Sequence, residues 1–317
     1  MTDMRYETRR RSGGGIWQIA VMAAIAAAIY MGYQKLQGGV SADQLNVNAA
    51  SAILIDATTG EVMYAKNADT PMAPASMSKM MTEILVLDGI HGGTLKWQDP
   101  VTASLYAAQV PGARLGLNHG DVTTVRELFD AMTIYSANDA AVALAEHVGG
   151  SETAFTELMN DRAARIGLSE EAVFGNASGL SLSDISHLEG AAAERDTMLT
   201  AHDTAKLAGY LIGKYPEVLE VTSRRSVKVP TKGQTFAATN WMLEDQPYAY
   251  PGNDGLKTGY TPVAGYCFTG TAKRDGKRLI SVVMGASSKE ERFTETIALY
   301  DLGFGSSGRG IQAASGR

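Results

Sequence analysis

From Ser51 the chain alternates apolar runs with short polar breaks. "SAILIDATTGEVMYAKN" reads as an apolar strand, a turn over 56–60 and a second strand. Two such runs joined by a glycine-containing turn predict a β-hairpin. Past residue 76 the period changes: apolar positions recur at helical spacing over 77–90, 125–135, 139–148, 152–166 and 204–212. Thr123 or Thr124 with Glu127 resembles a capping box, while Gly149-Gly150 and Gly167 close two helices. Strand-like runs return as "RRSVKVP", "GLKTGY", "AGYCFTGTA" and "RLISVVMGA", with "RDGK" at 274–277 turning between the last two. A final helix is expected over about 288–302, and the tail 305–317 holds too few apolar residues to pack. Strands at both ends of a helical middle predict one α+β domain over 51–304. Its antiparallel sheet of about five strands would be flanked by helices, with a helical subdomain inserted.

The N-terminal pattern is of another kind. Residues 1–15 carry Arg5, Arg9, Arg10 and Arg11 and end in three glycines; residues 16–33, "IWQIAVMAAIAAAIYMGY", carry no charge. That run is longer than a signal core of about 7 to 15 residues and just short of the roughly 20 of a comfortable span. Basic residues ahead of it predict a cytoplasmic N-terminus, a transmembrane anchor or signal segment over 16–33, a linker over 34–50 and an exported body. Cleavage near Ala42, after Val40-Ser41, is the alternative.

Charge and composition then narrow the function. The formal net charge of −6 contains +2 in residues 1–33, which leaves −8 on the rest. An acidic body with no basic, aromatic-interleaved stripe argues against nucleic acid. Cys267 is the one cysteine, so no intramolecular disulfide forms, and its apolar, alternating surroundings predict a packed strand residue. His91, His119, His147, His187 and His202 show no ligand spacing, so no metal and no cofactor is expected.

Candidate chemistry lies in "PASMSKMMT". Ser76 falls near the start of the 77–90 helix, and Lys79, three residues on, lies 60° around the helix and one turn along it. A serine hydroxyl needs a base, and a lysine becomes one when burial, a second cation or a helix N-terminus lowers its pKa. Met77, Met80 and Met81 are expected to be core. Ser-x-x-Lys alone is a weak signal, because such pairs arise by chance on ordinary helices. Two further elements follow: Ser136-Ala137-Asn138 at a helix junction and Lys257-Thr258-Gly259 on a late strand.

In this order and setting, the three elements resemble the penicillin-recognising serine enzymes. The stretch from about 51 to 304 resembles the low-molecular-mass penicillin-binding proteins that act as serine-type D-alanyl-D-alanine carboxypeptidases. Besides the three motifs, "AILIDATTGEVMYAKNADTPMAPASMSKMMT", "GLKTGYTPVAGYC" and "RLISVVMGASSKEERF" carry the likeness. The resemblance implies a β-lactamase/DD-peptidase-like fold acting on peptidoglycan stem peptides and acylated by β-lactams. It implies Ser76 as nucleophile, Lys79 as proton acceptor, Ser136 as relay to the leaving amine, and Asn138 as the group positioning Lys79 and the substrate. Lys257 would supply positive field and Thr258 would bind the terminal carboxylate. Gly259 would permit close backbone approach, and the N–H groups of Ser76 and Tyr260 would form the oxyanion hole. Arg292 resembles an arginine that in some members approaches the same carboxylate.

Two departures qualify the likeness. Many relatives carry His where "FGNASGLS" has Ser178, and relatives often continue into a β-domain and an amphipathic membrane helix, which leaves residues 16–33 as the expected tether here. A D,D-endopeptidase would use the same residues. A β-lactamase is disfavoured because Glu170 and Glu171 are followed by "AVFGN" rather than by the pattern of a water-activating glutamate. An inactive wall-binding module is disfavoured because all six motif side chains are present.

Overall fold

A computed structural model describes residues 42–305. Val62 follows the Asp56-to-Gly60 turn, so β1 (Ser51–Asp56) and β2 (Val62–Lys66) form the expected hairpin. The helical middle opens with a 3-10 turn at Ala75–Ser78 and α1 (Lys79–His91), then β3 (Pro100–Thr102), α2 (Leu105–Gln109), β4 (Val122–Thr124) and α3 (Val125–Ile134). It continues through α4 (Asn138–Gly149), α5 (Glu152–Ile166), α6 (Leu182–Ile185), α7 (Ala201–Lys214) and α8 (Val218–Thr222). After the small hairpin of β5 (Ser226–Val229) and β6 (Gln234–Ala237) come the long strands β7 (Asn253–Thr261), β8 (Gly265–Arg274) and β9 (Lys277–Ala286), and then α9 (Glu291–Phe304).

The sheet order is β2-β1-β9-β8-β7, antiparallel throughout, so the first and last parts of the chain share its centre: Ser51 pairs with Met284. Alternation along β9 divides the core. Ile280, Val282 and Met284 face the helical layer, while Leu279 and Val283 face α9 on the other side. Met77, Met80 and Met81 are fully buried in the larger cluster with Ile84 and Val86. Burying each such side chain contributes about 2 kcal/mol, which fixes α1 beneath the sheet.

Helix ends follow local chemistry. Thr124 caps α3 by accepting from Glu127 N, while the Glu127 carboxylate is taken by Thr123 and Thr231 rather than by the cap backbone. Gly150 and Gly167 are left-handed helix ends, as their positions predict.

Four expectations change. "RRSVKVP" pairs only with β6, outside the main sheet, because Pro230 stops it after four residues and Gly233 turns the chain back. Ser76 lies in the 3-10 turn, and the α-helix proper begins at Lys79. The last helix starts at Glu291, whose N–H is capped by Ser288 Oγ at 3.0 Å, and runs two residues further than expected. The end of the expected linker packs: Val47 and Ala49 are buried in the α9-side core, and Lys66 Nζ donates to Val47 O at 2.7 Å. Among the described residues no helix is long and apolar enough to cross a membrane. The basic segment 1–15, the apolar segment 16–33 and the tail beyond 305 lie outside the described residues.

Candidate active site

Ser76 is presented by backbone that only small neighbours can approach. A Cβ on Gly259 would stand 2.6 Å from Pro74 O, and one on Gly179 would stand 2.1 Å from Ala75 O. Glycine at both positions lets β7 and the 174–181 loop close on the turn from two sides. Ala75 and Ser136 take φ of +49° and +70°, conformations that side-chain-bearing residues rarely adopt and that cluster at functional sites. The first places the Ser76 turn; the second breaks α3 from α4 and turns Ser136 into the cleft.

Lys79 Nζ lies 2.8 Å from Ser76 Oγ and donates to Asn138 Oδ1 and to Ser178 O, each at 2.7 Å. The Asn138 amide is oriented by its Nδ2 donating to Pro111 O at 2.7 Å, which leaves Oδ1 for the lysine. Both partners are acceptors only. A neutral amine satisfies them with its two hydrogens and turns its lone pair to the remaining neighbour, the Ser76 hydroxyl. Electrostatics favour that state: burial holds the Lys79 pKa well below its usual value, and the Lys257 charge lowers it further against the opposing fields of Glu83, Asp139 and Glu152.

Lys257 Nζ donates to Ser136 Oγ at 2.7 Å and reaches Thr258 O at 3.4 Å, so Ser136 stands beside the second buried lysine. Burial also pushes Lys257 down, with Glu83 acting against the shift and Arg292 adding to it. Thr258 Oγ1 donates to Thr239 Oγ1 at 2.7 Å. Arg292 is buried and donates to Gly259 O at 3.2 Å and Cys267 O at 3.4 Å, while its Nε has no partner. Tyr260, half exposed, stacks on Tyr266 at 4.4 Å. These groups meet at one cleft of about 460 Å³ that includes Ser76, Ser136, Asn138, Thr258, Tyr260 and Arg292.

Three groups here were not read from the sequence in the roles they hold. The Ser178 side chain turns away to Asn176 Oδ1 at 2.9 Å, and its backbone carbonyl is what touches Lys79. Glu83, one turn beyond Lys79 on α1, is fully buried with one carboxylate oxygen unpartnered, and burial raises its pKa. Thr239 comes from the loop after β6. Spacing i, i+4 from Lys79 was the available sign for Glu83; the others follow only from folding. Cys267 is fully buried, its thiol pushed up to about 11 by burial, so it is no nucleophile at neutral pH. Glu170 and Glu171 lie on an exposed turn.

The sequence model of peptidase family S11, D-alanyl-D-alanine carboxypeptidase, matches residues 38–288. The chain belongs to that family. The D-alanyl-D-alanine carboxypeptidase DacF of Bacillus subtilis is 36% identical over 271 residues, covering 84% of this chain and 65% of its own length. DacC of Escherichia coli is 32% identical over 270 residues, covering 82% of this chain and 62% of its own length. The chain thus spans somewhat under two thirds of these curated relatives. Among solved structures, penicillin-binding protein D2 of Listeria monocytogenes in its ampicillin-bound form is 37% identical, with a TM-score of 0.69 over 82% of this chain and 98% of that one. PBP3 of Streptococcus pneumoniae, described as a peptidoglycan synthesis regulatory factor, gives a TM-score of 0.76 at 35% identity over 81% and 73%.

Proposed function

We propose that the protein is a serine-type D-alanyl-D-alanine carboxypeptidase that removes the terminal D-Ala from peptidoglycan stem pentapeptides, and that penicillins acylate it at Ser76. One observation carries the reading: the Lys79 amine, with two acceptors satisfied, has Ser76 Oγ as its remaining neighbour at 2.8 Å. Ser76 Oγ attacks the carbonyl carbon of the penultimate D-Ala while Lys79 Nζ takes the hydroxyl proton. The oxyanion is stabilised by the N–H groups of Ser76 and Tyr260. Collapse breaks the C–N bond, and the departing amine receives a proton from Lys79 through Ser136, which Lys257 holds in place. Water then hydrolyses the acyl-enzyme. Thr258, with Arg292 behind the Gly259 carbonyl, receives the terminal carboxylate; Asn138 holds both Lys79 and the substrate amide.

Intact-protein mass spectrometry after incubation with benzylpenicillin tests the first step. Wild type is expected to gain one penicilloyl mass and Ser76→Ala none; equal adducts on both would overturn the assignment. Release of D-alanine from a pentapeptide stem, compared with cleavage of cross-linked dimers, separates carboxypeptidase from D,D-endopeptidase. We extend the reading to location: the basic 1–15 segment followed by the apolar 16–33 segment supports an exported domain on the periplasmic side of the cytoplasmic membrane, tethered at its N-terminus. A full-length chain extracted from membranes by salt alone would count against the tether.

A further inference from the structure

One wall of the cleft is built from residues that the proposed mechanism does not use. Trp241 follows two residues after Thr239 and is pinned by its loop: Thr239 N donates to Ile134 O at 3.1 Å and Tyr248 N to Trp241 O at 3.0 Å. Its ring stacks on Tyr248 at 6.3 Å and on Phe293 at 5.9 Å, so the indole is held rather than adaptable. Lys289 Nζ sits 3.7 Å from the Trp241 ring centroid, and both residues line the cleft beside Thr258, Tyr260 and Arg292. Among the described residues no hydrogen bond or ion pair holds the Lys289 ammonium. The cleft lining contains no Asp or Glu, and the buried Nε of Arg292 is unpartnered. This end of the cleft therefore offers two cations and no anionic lining group, with the Glu290 charge acting on both from outside the lining. A single terminal carboxylate, received at Thr258 and Arg292, leaves the second cation unmatched.

We propose that Lys289 and Trp241 form a leaving-group subsite for a second carboxylate, so that the protein favours substrates whose departing D-amino acid bears an acidic side chain. The inference rests on the carboxypeptidase reading of the site. The indole occupies one side of the ammonium and holds it through the ring quadrupole, while the other N–H groups stay open toward the cleft. The leaving residue's aliphatic stem lies along the Trp241 edge, its α-carboxylate meets Thr258 and Arg292, and its side-chain carboxylate meets Lys289. Partial burial and the Arg292 charge lower the Lys289 pKa against the opposing field of Glu290, and a carboxylate bound between the two cations offsets that repulsion. The covalent step is unchanged: the same acyl-enzyme forms, and the leaving group differs only in its side chain.

The test uses the full chain and three stems that differ at the last residue, D-Ala, D-Glu or D-Gln, with D-Gln as the neutral match in size for D-Glu. Wild type is expected to favour D-Glu over D-Gln by about tenfold in kcat/KM at low salt, an advantage that shrinks as salt is added. Lys289→Met should bring the ratio close to one and Lys289→Arg should keep most of it; benzylpenicillin labelling certifies that each variant is folded. Release of D-alanine by wild type with a D-Glu to D-Gln ratio near one overturns the subsite and leaves the carboxypeptidase reading standing, as does an unchanged ratio in Lys289→Met. A wild type that releases no D-amino acid and takes no penicillin overturns both.

Discussion

Two lysines buried in one cleft cannot both hold a proton cheaply. Unit charges about 4 to 5 Å apart in an effective dielectric near 20 repel by roughly 3 to 4 kcal/mol, so neighbouring buried lysines give up a proton more readily than free ones. Lys79 is the one held well below its usual value, by burial and by the Lys257 charge, while burial brings Lys257 down to about 8; the Glu83 field opposes the loss at both. Acylation by benzylpenicillin is thus expected to trace a bell against pH, rising as Lys79 loses its proton and falling as Lys257 loses its own. Glu83→Gln removes a negative field that helps both lysines hold their protons, so each deprotonates at a lower pH and both limbs, the falling one included, move toward acid. Rate constants measured over about pH 5 to 10 check this, and a falling limb that stays in place in the variant would assign it to another group. At this scale the sequence was legible where side chains do the chemistry: Ser76 and Lys79 by spacing, Ser136, Asn138, Lys257 and Thr258 by motif. It was silent where the partner is a backbone carbonyl, as at Ser178, because any residue supplies one.

At the scale of elements, buried carboxylates hold the segments that shape the cleft. Glu152, at the first position of α5, is fully buried; it accepts from Ala177 N at 3.1 Å, Ala192 N at 2.9 Å and Tyr106 Oη at 2.8 Å. It thereby ties the 174–192 loop, whose Ser178 carbonyl touches Lys79, to the helical core. Asp139 does the same for the facing loop, accepting from Leu115 N, Gly116 N and Leu117 N at 2.9 to 3.1 Å. Glu152→Ala strands three donors, at a cost of about 3 kcal/mol. The expected loss in Tm is on the order of 10 °C. Acylation of the folded protein should also slow as the Ser178 carbonyl leaves Lys79. Calorimetry and penicillin labelling at low temperature read the two effects, and an unchanged melt would show the loop to be held elsewhere. Periodicity made the strands and helices legible here, and caps such as Thr124 and Gly167 marked their ends. The destination of "RRSVKVP" was not legible, because alternation marks a strand without naming its partner.

For the whole molecule, the sheet joins strands from opposite ends of the chain, and the cleft lies where residues 76–79, 136–138 and 257–260 converge. No local pattern encodes that convergence; the order of the three motifs implied it only through resemblance to a family. Its energetic consequence follows from the packing. The larger core cluster runs without a break from Ile53 on β1 through the methionines of α1 and the alanines of α4 to Ile280 and Val282 on β9. The helical insertion therefore has no separate apolar core on which to remain folded once the sheet opens, and the sheet loses one covered face if the helices leave. Thermal unfolding is expected as one transition. Far-ultraviolet circular dichroism, tryptophan fluorescence from Trp97 and Trp241, and competence for penicillin labelling should then share a midpoint, since Trp97 lies in the helical part and Trp241 beside the sheet edge. Labelling lost well below the loss of helix would instead mean that the cleft opens as an independent unit, with Thr258 and Lys257 parting from Ser136 while the core stays packed.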